Sequence, residues 1–181
     1  MFPSNYTPPV ASEASGNYTK IKDDPVKLRI LSEAVTGYVY WTNDNKPVRM
    51  MVYPQSTPNI REDSKPKHFW AFKVWNYTTQ QVEVWEISQA SIRDALWAYW
   101  EDKEDYGDLR NFPIKVSKTG KGLDTKYSVI AGKARELESE IEQISANTPV
   151  NLFALFDGGN PFKPNENELA STQSTSFDED F

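Results

Sequence analysis

Residues 67–88 read KHFWAFKVWNYTTQQVEVWEIS, from Lys67 to Ser88, and their reading decides the fold. Two aromatic and β-branched runs flank a polar Asn-Tyr-Thr-Thr-Gln-Gln turn, which is the pattern of a β-hairpin. Alternate residues of a strand share a face. Phe69, Ala71, Lys73 and Trp75 therefore fall on one side, and His68, Trp70, Phe72 and Val74 on the other. Both faces are rich in rings, and a one-sided sheet needs only one such face for its core. Rings interleaved with cations suit the flat faces of nucleic-acid bases. Trp70, Phe72, Trp75, Tyr77 and Trp85 are the candidate stacking rings of the hairpin, against the plainer reading of each as a core side chain.

Working outward, the chain before the hairpin alternates at Val26, Leu28 and Ile30, which marks a half-buried strand. A second apolar run reaches Trp41, and Gly37 within it predicts the bend of one long first strand, 26–41. Asn43–Pro47 is a turn and residues 48–53 a further short strand. Residues 54–67 read as an exposed, partly basic loop. Beyond the hairpin, Ser88 is placed to cap a helix over residues 89–102, with Ile92, Ala95, Leu96 and Tyr99 as its apolar stripe. Residues 112–130 then read as a second hairpin around Lys118-Thr119-Gly120-Lys121-Gly122. Residues 133–146 predict an amphipathic helix. Thr148 and Pro149 start a short second one, ended at Gly158-Gly159. These helices pack on the barrel or, alternatively, form a dimer contact, so a homodimer stays open.

Bent strand, hairpin, helix, hairpin is the plan of an OB-fold, a five-stranded barrel with a helix between strands 3 and 4. The expected fold is thus mainly β with α, with added C-terminal helices. Residues 1–16 form a flexible arm, 17–158 the domain, and 159–181 a disordered acidic tail.

The 181 residues carry 38% hydrophobic and 13% aromatic side chains and no cysteine, which excludes disulfides and thiolate chemistry. No run reaches the ~18 apolar residues of a membrane span, and the N-terminus lacks a signal-peptide layout, so a cytoplasmic location is expected. The net charge of −6 is unevenly spread. Residues 157–181 hold one lysine and six acids, which leaves 1–156 with 19 of the 20 basic residues and 20 of the 26 acids. The excess negative charge is a tail on a near-neutral body. The most basic stretch is 109–135, with seven Lys and Arg. Trp41, Arg49, Arg61, Lys65, Lys67, Lys73, Lys115, Lys118, Lys121, Lys126 and Tyr127 extend the aromatic hairpin into a candidate track for phosphates and bases.

The glycines at 120 and 122 do not form a nucleotide loop, since GxxxxGK[ST] is absent. The acids at 101–108 have no partner at a metal-binding spacing, and His68, the one histidine, has no evident mate. An enzyme, a metal and a cofactor are not expected.

From Val26 to Ile130, and again in the tail, the chain resembles the replicative single-stranded DNA-binding proteins of bacteriophages and bacteria. The hairpin Lys115–Val129, centred on KTGKGLDTKYSV, looks like that of phage members. The ending Phe177-Asp178-Glu179-Asp180-Phe181 resembles their acidic termini closed by an aromatic residue. The resemblance implies single-strand binding without sequence preference, in replication, recombination and repair. It also implies a tail that recruits polymerase, helicase or primase, or nuclease, with Phe177, Asp178, Glu179, Asp180 and Phe181 as the partner contact. The Asp-Ile-Pro-Phe ending of many bacterial members is missing, so the implied partner is a phage enzyme. An RNA-binding module and a protein-interaction or assembly domain are the rival readings.

Overall fold

The computed structural model describes residues 17–163. It is mainly β: seven antiparallel strands in one sheet, with helices on its flanks. The strands are β1 Val26–Ile30, β2 Val35–Trp41, β3 Pro47–Met50, β4 Lys67–Asn76, β5 Gln81–Ile87, β6 Pro113–Thr119 and β7 Lys126–Ala131. The helices are α1 Ala90–Glu101 and α2 Ser139–Ala146, joined by 3-10 turns at Leu109–Asn111, Gly122–Asp124 and Leu152–Asp157.

β4, the longest strand, organises the sheet. One edge pairs with β5, from Trp70 opposite Ile87 to Asn76 opposite Gln81. The other edge is shared: β2 takes residues 67–71 and β1 takes 74–76. β1 and β2 thus act as one bent strand, but the bend is not at Gly37. It lies at residues 31–34. There Leu31 N donates to the Lys73 carbonyl at 2.9 Å, and Lys73 N donates to Ser32 Oγ at 2.9 Å, so a side chain replaces the interrupted ladder. Gly37 is needed for space instead. A Cβ there would lie 2.5 Å from the Met50 carbonyl and 2.8 Å from the Phe156 ring.

β1 continues the sheet to β6, and β6 to β7. β3 extends it beyond β2. The expected closure into a five-stranded barrel is not made, because β5 and β7 do not pair. Both edges are occupied otherwise. Residues 17–19 run beside β5 through the bridge of Tyr18 with Val84. On β7, Tyr99 of α1 donates its hydroxyl to the Val129 carbonyl and accepts from Ala131 N, each at 3.3 Å.

Both faces of β4 are covered. Phe72 and Val74 join Leu28, Ile30, Trp85, Ile87, Ile92, Leu96, Phe112 and Ile114 in the main core. Phe69, Ala71, Val39 and Val84 lie under Leu152 and Leu155, and Trp75 and Val82 under Ile141. The ring surplus of the hairpin is thereby largely absorbed by a second core, whose cover is the C-terminal segment. That segment is packed as far as Phe162: Asn151 N donates to the Pro161 carbonyl at 2.8 Å, and Pro161 is buried.

Three local expectations are corrected. Ser88 does not cap α1, whose N-cap is Gln89 without a side-chain bond. The predicted helix over 133–146 begins only at Ser139, because 132–135 is tied to the β6 entrance. Gly132 N donates to Pro113 O and Arg135 N to Asn111 O. The following turn is 3-10 and ends at Gly158 with φ +67°, a left-handed geometry that favours glycine. No helix among the described residues is long and apolar enough to cross a membrane.

A candidate nucleic-acid interface

The interior-facing side of β4 emerges from the core at its N-terminal end. Phe72 is buried, Trp70 and His68 are half-buried, and the rings continue onto the neighbouring elements. Trp70 meets Trp97 of α1, with centroids 6.4 Å apart. Its Nε1 donates to His68 Nε2 at 3.2 Å. His68 lies opposite Tyr38 in the β2–β4 ladder, with ring centroids 5.1 Å apart. Tyr38 in turn meets Tyr53 edge-on at 5.3 Å. Trp97, Trp70, His68, Tyr38 and Tyr53 therefore form a continuous run of rings from α1 across the sheet to the end of β3. Trp97 is 50% and Tyr53 62% exposed, so the run opens to solvent at both ends. Beside it Trp100 carries the Lys103 ammonium 3.2 Å above its ring, a cation–π contact.

A cavity of about 490 Å³ opens along this run, walled by Trp70, Phe72, Leu96, Trp97 and Trp100. Its polar margin includes Asp108 and Arg110, which pair bidentately. The Arg110 hydrogen bond holds the Asp108 carboxyl below its usual range. His68 sits in a site that disfavours its charged form: burial, and then the nearby Arg93 charge, lower its pKa. A neutral imidazole is also what accepts the Trp70 hydrogen bond. Flat apolar faces beside a few charges can hold planar rings by stacking.

The residues singled out from sequence are distributed unevenly. Trp70 is in the run, and Lys67 is exposed next to His68. Phe72 and Trp75 are each 3% exposed, so neither can stack on a base. The correction has a packing cause, since one faces the main core and the other lies under α2. Trp85 is core as well. Arg49 is committed to Glu86 at 2.8 Å, with both side chains largely covered. Lys73 reaches the Ser145 carbonyl at 2.8 Å beneath the C-terminal segment. Tyr77 has the Lys27 ammonium 4.7 Å from its ring and bonds Glu138 through its hydroxyl. Trp41 is 41% exposed at the end of β2, where Arg61 N donates to its carbonyl. Arg61 itself pairs with Asp63, and Lys65 is exposed in the same loop.

Lys115, Lys121 and Lys126 project from the β6–β7 hairpin into solvent, and Lys118, half-buried, pairs with Tyr127 across it. Tyr127 leans on the main core. Gly120 makes the tight turn, with φ +78° and no room for a Cβ beside the Asp124 carbonyl. Because α1 packs on β7 and presents Trp97 to Trp70, it links this basic hairpin to the ring run. Residues 177–181 lie outside the described residues.

Tyr38, Tyr53, Trp97 and Trp100 are not among the candidates drawn from the sequence, and His68 is weighed there only as a histidine without a mate. Trp97 and Trp100 carried a usable signal. Trp97 falls off the Ile92–Leu96–Tyr99 stripe, and Trp100 lies at its flank, so two tryptophans three apart on α1 mark an aromatic margin beside the core-facing stripe. Tyr38 and Tyr53 had none, because their meeting depends on the β2–β4 register.

Among the described residues no group of three or more His, Asp or Glu side chains is placed to hold a metal ion. No protein-family model, curated protein or solved structure matches the chain.

Proposed function

We propose that this protein binds single-stranded DNA without sequence preference and without catalysing a reaction. The observation that carries the reading is the solvent-open run Trp97–Trp70–His68–Tyr38–Tyr53 with the lysine-bearing β6–β7 hairpin linked to it through α1. Bases stack on the rings, and the lysines neutralise phosphates. The element order supports an OB-like plan, with β1–β2 as the bent first strand, β4 and β5 as the next two, then α1, β6 and β7. In that plan the outer face of strands 2 and 3 commonly serves ligands. Here α2 and residues 152–162 cover it, so the binding surface moves to the end of the sheet where α1 stands.

The likeness to phage and bacterial replicative single-stranded DNA-binding proteins extends the proposal to the tail. Phe177, Asp178, Glu179, Asp180 and Phe181 recruit replication or repair proteins and compete with DNA for the basic hairpin when salt is low.

The test is a tryptophan-fluorescence titration with poly(dT) over a series of salt concentrations, on the full chain and on a chain ending at Lys163. That end point keeps the packed Pro161 and Phe162. Stacking quenches the signal, and affinity falls as counterions are released with added salt. Tighter low-salt binding by the shortened chain supports tail competition. Absence of quenching in both forms overturns the DNA-binding reading. A matched poly(U) titration separates DNA from RNA preference.

A further inference from the structure

A second cavity lies on the opposite face of β4 from the ring run, between β1, β4 and the C-terminal segment at residues 134–149. It measures about 1060 Å³. Its sheet-side wall includes two cations, Arg29 and Lys73, and among the described residues neither forms an ion pair with a carboxylate.

Arg29 is 2% exposed. Its Nε donates to the Arg110 carbonyl at 2.7 Å and its Nη2 to the Arg135 carbonyl at 2.6 Å. These bonds lock the guanidinium plane and leave Nη1 without a hydrogen-bond partner. Lys73 is half-buried, and its ammonium meets the Ser145 carbonyl. Burial lowers the pKa of both groups, countered in part at Arg29 by the nearby Tyr77 and Glu138, so each charge is held there at a cost. Arg110 and Arg135 also line the cavity. Of the carboxylates, Asp108 is taken by Arg110, and Glu138 by Arg135 and Tyr77. Glu136 and Glu142 stand exposed on the outer wall. The buried wall is cationic and the acids are on the rim.

We propose that this cavity is a binding site for a phosphate monoester dianion, held by Arg29 and Lys73 beneath the C-terminal segment. An oxyanion supplies the acceptor that Arg29 Nη1 lacks and a countercharge to both cations, and a guanidinium already fixed in its plane is suited to receive it. The cavity is open to solvent between the sheet and residues 134–149, so a terminal or free phosphate reaches Arg29 and Lys73 without moving that segment. Arg29 and Lys73 lie on the other face of the sheet from the ring run, and the two cavities share only Arg110 at their margins, so the proposal does not rest on the ring-run reading.

The experiment is calorimetric titration of the full chain at constant ionic strength in chloride, with four probes. They are inorganic phosphate, dAMP, and (dT)8 with and without a 5′-phosphate. Saturable binding of inorganic phosphate and dAMP is expected, and Lys73→Gln weakens it by about ten-fold or more. Lys22→Gln, an exposed cation away from the cavity, removes the same charge and leaves it unchanged. Competition between phosphate and only the 5′-phosphorylated oligonucleotide makes a strand end the source. Competition with neither oligonucleotide makes it a free phosphate or mononucleotide. Should Lys73→Gln not fold, amine labelling of the unmodified chain with mass-spectrometric readout replaces it, and phosphate must slow the labelling of Lys73. No saturable phosphate binding, binding unaltered in Lys73→Gln, or no protection of Lys73 overturns the proposal. Poly(dT) quenching is read separately, so failure here leaves the DNA-binding test untouched.

Discussion

Trp70 donates its indole N–H to Nε2 of His68 at 3.2 Å, which ties the protonation state of the one histidine to the position of a stacking ring. Burial and then the Arg93 charge lower the folded-state pKa of His68 below the ordinary imidazole value of about 6.5. Above that value the imidazole is neutral whether the chain is folded or not. Below it the unfolded chain takes up a proton that the folded one resists, so stability falls as pH drops until the folded pKa is reached. Thermal melts from pH 7.5 down to 5 should show this loss, and His68→Gln should flatten it. The imidazole resonances in an NMR titration report the same group without interference. A His68 midpoint at or above 6.5 would contradict the geometry.

Trp97 and Trp75 should separate binding from folding. Trp97→Ala removes a half-exposed ring of the run, and loss of stacking weakens poly(dT) binding by about 1–3 kcal/mol while the melting curve changes little. Trp75→Ala empties a site beneath α2 and costs about 3–5 kcal/mol of stability. Its DNA affinity, measured where it stays folded, should match that of the parent. Paired denaturation and fluorescence titrations check both.

Gly37→Ala should destabilise the chain by about 1–3 kcal/mol, the usual range for overpacking. The new methyl meets a main-chain oxygen of β3 and the Phe156 ring, so β3 or the 3-10 turn has to move. Urea denaturation gives the magnitude. A neutral result would mean that Phe156 is free to swing aside.

Tyr99→Phe removes the hydroxyl that occupies the open edge of β7. Two hydrogen bonds are lost, at about 0.5–1.5 kcal/mol each. Hydrogen exchange should show the local signature, with the Ala131 amide exchanging faster while amides of β4 keep their relative protection.

Most of the element order was readable in advance because it rests on local pattern. Alternation at Val26, Leu28 and Ile30, the paired aromatic runs of β4 and β5, and the Ile92–Leu96 stripe of α1 each need only their own neighbours in sequence. The basic β6–β7 turn was equally plain from Gly120 and its lysines. The helix start before α2 was misread because 132–135 spends its amides on Asn111 and Pro113, a non-local tie that outweighs helical periodicity.

The candidate site was legible only in part, for the same reason. The two faces of β4 look alike in sequence, each carrying rings and a polar residue. Which rings become core depends on where residues 139–162 return to the sheet. They come down on the side of Phe69, Ala71 and Trp75 and leave Trp70 and His68 to meet Tyr38 and α1. By itself the sequence determined the strand and helix order, the basic hairpin and the aromatic character of β4, since side-chain alternation and turn chemistry are short-range. Only the tertiary structure decided which face is buried, that the sheet stays open between β5 and β7, and which rings line up. Those outcomes come from long-range packing, in which the C-terminal segment and the Tyr99 hydroxyl occupy surfaces that no local pattern assigns to them.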